Sequence, residues 1–157
     1  MRRFGTLAPL LFGAVFACSA RTGSTAHFAR DLGLATAAEV VEKTHRVFTL
    51  HQFEIEQEET EPIIWVETRW KQRSPFPDEH ALGISDAQVR AIMRARRRSA
   101  TSTLGDIYTV DLTIEQRVRV LANDEWRHST LTPGARAFAA RITEDLKREL
   151  NVGVRRY

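Results

Sequence analysis

The sequence predicts an α+β fold: a four-stranded antiparallel sheet with an N-terminal and a C-terminal helix packed on one face. Strict alternation of apolar and polar residues from Tyr108 to Val120 marks a half-buried strand. Phe138, Ile142, Leu146 and Leu150 recur at one-turn spacing, as the buried stripe of a helix does. Thr36-Ala37-Ala38-Glu39 spells a capping box, in which the threonine hydroxyl accepts from the amide of Glu39 while the glutamate reaches back to the amide of Thr36.

Val40, Val41, Thr44, Val47 and Phe48 follow the box at helical spacing and give a helix of about three turns. The period then changes to two. Val47, Thr49, His51, Phe53 and Ile55 fall on one side and Gln52, Glu54, Glu56 and Glu58 on the other, the pattern of a strand. Glu59-Thr60-Glu61-Pro62 makes a turn into a second strand, where Ile64, Val66, Thr68 and Trp70 alternate with Trp65, Glu67, Arg69 and Lys71. Ser74-Pro75-Phe76-Pro77-Asp78 breaks regular structure and opens a loop to Asp86.

Residues 87–98 fit two periods. Ile84, Ala87, Ala91 and Ile92 match a helix face, whereas Val89, Ala91, Met93 and Ala95 alternate with Arg90, Arg94 and Arg96. A strand as long as Tyr108 to Val120 needs a neighbour of similar length, which selects the strand and makes Ser99 to Gly105 the connecting turn. The last helix opens on Thr132 as cap with Pro133 in its first turn. Arg141 with Asp145 and Glu144 with Arg148 are spaced to pair along its exposed side, and Asn151 and Gly153 stop it.

The first residues carry a different pattern. Arg2 and Arg3 form a short positive segment, and Phe4 to Ala17 then runs without a charge, too short for a membrane span but suited to the apolar region of an export signal. Val15-Phe16-Ala17-Cys18 closes the run and resembles the lipobox of bacterial prolipoproteins, where a small residue precedes the cysteine that is acylated and becomes residue one. Phe16 is bulkier than is usual there. The resemblance implies cleavage between Ala17 and Cys18, diacylglycerol on the Cys18 sulfur and a further acyl chain on the new amino terminus. Each buried methylene contributes about 0.8 kcal/mol, so several chains hold a protein at a membrane almost permanently. Cys18 is the only cysteine, so an exported chain of this sequence forms no internal disulfide.

Two other readings stay open: ordinary cleavage after Ala17, which releases a secreted, non-lipidated domain, and retention of an uncleaved anchor. Residues 1–17 are thus expected to be a signal peptide, residues 18–35 the lipidated cysteine and a tether, and residues 36–157 a single α+β domain. Ser19 in place of Asp implies, by the same resemblance, onward export to the periplasmic face of the outer membrane. The element order from Thr36 to Leu150 is similar to the small helix-and-sheet domains of envelope lipoproteins, such as the C-component lipoprotein of the outer-membrane β-barrel assembly machinery.

Without residues 1–17 the chain has 140 residues, and Lys+Arg falls from 23 to 21 against 20 acidic residues. A near-neutral exported domain has no electrostatic reason to bind nucleic acid. Hydrophobic residues make up 43%, which fits a globular core. Gly-rich phosphate loops, paired-cysteine metal patterns, HExxH and nucleophile elbows are missing from the sequence, so neither a cofactor nor a catalytic constellation is expected.

Asp78-Glu79-His80 offers metal-ligating types, but adjacent residues seldom converge on one ion, and a solvated loop is the better reading. His51 reads as a hydrogen-bonded core histidine, and the acids from Glu54 to Glu61 as a solvated hairpin. Arg94, Arg96, Arg97 and Arg98 form the densest basic run, with Arg94, Arg96 and Arg98 placed to pair with Asp111 and Glu115 of the next strand. Trp65 stands on the polar side of its strand. Trp65, Arg69, Arg94 and Arg96 are therefore the expected contact set for another envelope protein, in a non-enzymatic accessory or structural lipoprotein attached to the membrane through Cys18. The competing class is a module that holds a lipid or other apolar ligand between helices and sheet, which requires a cavity where a packed core is expected.

Overall fold

A computed structural model describes residues 26–98 and 106–154. Ala17, Cys18 and the expected turn from Ser99 to Gly105 lie outside the described residues. The elements, in order, are β1 (His27–Thr36), α1 (Ala37–Leu50), β2 (Ile55–Glu59), β3 (Ile64–Thr68), β4 (Lys71–Arg73), α2 (Pro77–His80), β5 (Asp86–Arg97), β6 (Ile107–Arg119), β7 (Arg127–His128) and α3 (Pro133–Val154).

The fold is α+β with an antiparallel sheet, but the described residues form seven strands where the sequence predicts four. β5 and β6 run together along their length, from Asp86 opposite Arg119 to Arg97 opposite Tyr108. β1 and then β7 occupy the other flank of β6, while β3 and then β4 occupy that of β5, with β2 outside β3. The four expected strands correspond to β2, β3, β5 and β6.

Three differences have local causes. His27 to Ala35, expected as tether, lie in β1. Its alternation is hidden because the register shifts between Asp31 and Gly33, so that Leu32 and Ala35, an odd number of residues apart, both face the core. Gly33 takes φ +102° there, a conformation that suits glycine. α1 continues to Leu50 because Val40, Thr44, Val47 and Phe48 share its buried face, so the strand expected from Val47 begins only at Ile55. Between Glu67, opposite Ile92, and Lys71, opposite Val89, the β3–β4 side has one residue more than β5. At this bulge the Thr68 hydroxyl accepts from the Ala91 amide at 2.9 Å.

α1 and α3 pack against each other and on one face of the sheet. Their contact is filled by Val40, Val47 and Phe48 from α1 and by Ala139, Ile142, Leu146 and Leu150 from α3. Opposite stand Ile64, Val66, Val89, Ala91, Met93, Ala95, Val110, Leu112 and Ile114, every one of these residues at most 2% exposed. The capping box forms, with Thr36 N–H donating to Glu39 Oε2 at 3.0 Å and Glu39 N–H to Thr36 Oγ1 at 3.4 Å.

The segment expected as a solvated loop closes the same face at one end. Glu79, 0% exposed, receives both terminal nitrogens of Arg73 at 2.6 Å and the Phe76 amide at 2.8 Å, while Arg73 also donates to Gln116 Oε1 at 2.7 Å. Asp78 Oδ2 accepts from the Gly134 amide at 2.8 Å at the start of α3. A Cβ on Gly134 would stand 2.9 Å from Asp78 Oδ1 and 3.0 Å from Phe76 Cβ, so a larger residue there would have to displace the loop.

Candidate functional site

With both long helices on one side, the other face of the sheet carries the second half of the alternation: Arg90, Ile92, Arg94 and Arg96 from β5, and Asp111, Thr113, Glu115, Arg117 and Arg119 from β6. The fold places Trp65 beside this row as the cross-strand partner of Arg94. An open groove of about 470 Å³ lies on one side of the pair, with Ile92 among its lining residues. A second groove of about 420 Å³ lies on the other side, against Pro62, Ile63 and Glu67. Trp65 and Arg94 line both.

Most charges here are paired. Arg90 donates to Glu115 at 2.8 Å and also to Glu67, and Arg96 donates to Asp111 at 2.8 Å. Trp65 Nε1 donates to Glu67 Oε2 at 3.2 Å. Arg94 is exposed and has no carboxylate partner among the described residues. One uncommitted guanidinium beside an indole and an aliphatic floor can receive a carboxylate or a planar polar group while apolar area is buried next to it.

Three of the four expected contact residues, Trp65, Arg94 and Arg96, come together in this groove. Arg69 does not. The bulge places it at the β3–β4 junction, where its side chain is 60% exposed and stands 3.7 Å from Glu54. The bulge also carries Trp70 away from the core side predicted for it. Trp70 lies under two guanidiniums of the open face, 4.7 Å from Arg90 and 4.3 Å from Arg117. Arg117 is 5.3 Å and Arg119 4.7 Å from the ring of Trp126, so tryptophans and arginines alternate toward the end of β6. Burial between the rings, with Arg90 nearby, holds the Arg117 guanidinium below its ordinary pKa. Sequence reasoning missed this stack because it depends on a reversal of parity that no local pattern announces.

The loop triplet is taken apart by the fold: Glu79 is buried on Arg73, Asp78 faces the start of α3 and His80 is exposed. Among the described residues no three His, Cys, Asp or Glu side chains are grouped to hold a metal ion. His51 caps α1, and its Nε2 lies 2.9 Å from Asp145 on α3, partly buried. Of the acids expected on the hairpin, Glu58 meets His45 at 2.7 Å. No helix among the described residues is long and apolar enough to cross a membrane.

Comparison of the chain with protein-family models and with curated proteins gives no match.

Proposed function

We propose that the protein is a non-enzymatic lipoprotein of the bacterial cell envelope, anchored through Cys18 at the periplasmic face of the outer membrane, that binds another envelope protein with the open face of its sheet. The observation that carries the reading is Trp65 with Arg94, which has no carboxylate partner among the described residues, between two grooves on a face that neither long helix covers. Such a surface, an aromatic anchor and an arginine over an aliphatic floor inside a rim of satisfied ion pairs, has the composition of a contact site. The alternative of an apolar ligand held between helices and sheet is less favoured, since Phe48, Met93, Leu112, Ile142 and Leu146 fill that layer.

The anchor is tested by metabolic labelling with a clickable fatty acid. The wild-type chain takes up label and fractionates with membranes, whereas Cys18→Ala is unlabelled and is released or stays unprocessed; equal labelling of the two removes the anchor. The contact face is tested by a photoreactive residue in place of Arg94, which yields a discrete cross-linked envelope protein, against the same residue in place of Thr49 on the exposed side of α1, which does not. Identical products from the two positions contradict the assignment.

A further inference from the structure

Five large aliphatic side chains among the described residues are exposed, and three of them, Leu82 at 68%, Val120 at 49% and Leu121 at 65%, belong to two loops that touch. Leu82 and Gly83 lie between α2 and β5, and an added Cβ on Gly83 would meet Val120 Cγ1 at 4.0 Å. The Ser85 amide donates to the Arg119 carbonyl at 3.0 Å, and the Leu121 amide to Asp124 Oδ2 at 3.1 Å, so hydrogen bonds fix both loops. Beneath them Ile84, Ala87 and Val118 form a small buried cluster of their own. The leucines themselves are left out of it.

The position of this tip is set by strand polarity. β6 ends at Arg119, opposite the start of β5 at Asp86, and β1 begins at His27 opposite Glu115 of β6. The chain that leads from Cys18 therefore joins the sheet at the same end as the apolar tip. The nine steps from Cys18 to His27 span at most roughly 30 Å when fully extended. Trp126, stacked between Arg117 and Arg119, and the exposed Arg127 fringe the tip. Exposed aliphatic side chains beside tryptophan and arginine have the composition that suits the boundary between acyl chains and headgroups of a phospholipid surface.

We propose that the loop tip formed by Leu82, Val120 and Leu121 docks on the phospholipid surface of the membrane to which Cys18 tethers the chain, holding the sheet upright with its contact face turned along the membrane. The orientation rests on the lipid-anchor reading; insertion of the tip stands on the exposed leucines and their fringe.

The test uses the full chain reconstituted in vesicles of phosphatidylethanolamine and phosphatidylglycerol, with an environment-sensitive nitrobenzoxadiazole probe on Leu121→Cys or, at the opposite end of β1, on Leu34→Cys. Leu34 is also an exposed aliphatic residue, 42% accessible, so the two sites differ chiefly in place. The probe at position 121 is expected to brighten several-fold, shift to the blue and be quenched by headgroup-proximal spin-labelled lipid, while the probe at position 34 does none of these. Flotation of the wild type and Cys18→Ala reports separately on the anchor. Chains that float with both probes equally wet overturn the tip and leave the anchor standing, and absence of both flotation and quenching overturns the two together. Quenching at position 121 in Cys18→Ala supports the tip by itself, and fatty-acid labelling then decides the anchor.

Discussion

The two faces of the sheet are written by the same strands and differ in almost every physical respect. On the covered face the residues of β5 and β6 are Val89, Ala91, Met93, Ala95, Val110, Leu112 and Ile114, fully enclosed by α1 and α3. On the open face the intervening residues are arginines, acids, Thr113 and the lone aliphatic Ile92 of β5. Burial of apolar area at about 25 cal/mol per Å² makes the first face the source of stability. Exposed ion pairs contribute about 1 kcal/mol or less each, so the second face is energetically quiet in the free protein. What it leaves over is the Trp65 ring, its N–H already given to Glu67, beside the exposed Arg94 guanidinium, which has no carboxylate partner among the described residues.

The largest loss on the covered side is expected from Glu79→Ala, which leaves the 9% exposed side chain of Arg73 buried without its counter-ion. Removing one partner of such a pair costs about 3–5 kcal/mol, whereas replacing both, as in Arg73→Met with Glu79→Met, costs less. Denaturant melts of the single and double variants check this. Leu112→Ala, at a fully buried position, should cost about 2–5 kcal/mol in the same melts. Its open-face neighbour Thr109→Ala should cost about 0.5 kcal/mol or less, and equal losses would mean the faces do not differ as described.

These positions also divide what was legible in the sequence from what was not. The box at Thr36 and Glu39, the long pairing of β5 with β6 and the stripe of α3 depend on neighbours in sequence or on unbroken periods, and each forms. β1 escaped because the shift beside Gly33 breaks its period, and β4 because the bulge after Glu67 does the same. The Arg73 pairing with Glu79 and Gln116 joins residues from separate elements, so no spacing rule points to it. In the candidate site, Trp65, Arg94 and Arg96 were legible from alternation alone. One extra residue turns Trp70 onto the open face and sets Arg69 apart from the other three, beside Glu54.

Smaller effects sharpen the contrast. Thr36→Ala removes the cap of α1 and should cost about 1 kcal/mol, read as a shift in the denaturation midpoint. Arg96→Ala deletes an exposed pair with Asp111 and should cost less than that. Asp78 supplies a pH signature: the Gly134 amide holds its carboxyl below the ordinary 3.8. Its folded-state value is depressed, so its contribution is present above the ordinary carboxyl range and is lost as pH falls through the folded value. The stability gap between the wild type and Asp78→Asn should therefore be constant near neutrality and narrow in acid below about pH 4, measured by thermal melts across pH.

The central claim is that the covered face holds the fold and the open face holds a partner, and one variant tests both halves at once. Trp65→Ala combined with Arg94→Glu is to be compared with the wild type in quantitative co-purification from membranes, with a thermal melt of the same preparations. The account predicts a melting temperature within a few degrees of the wild type and a several-fold drop in recovery of the envelope partner. Recovery of the same partners in the same yield would contradict it.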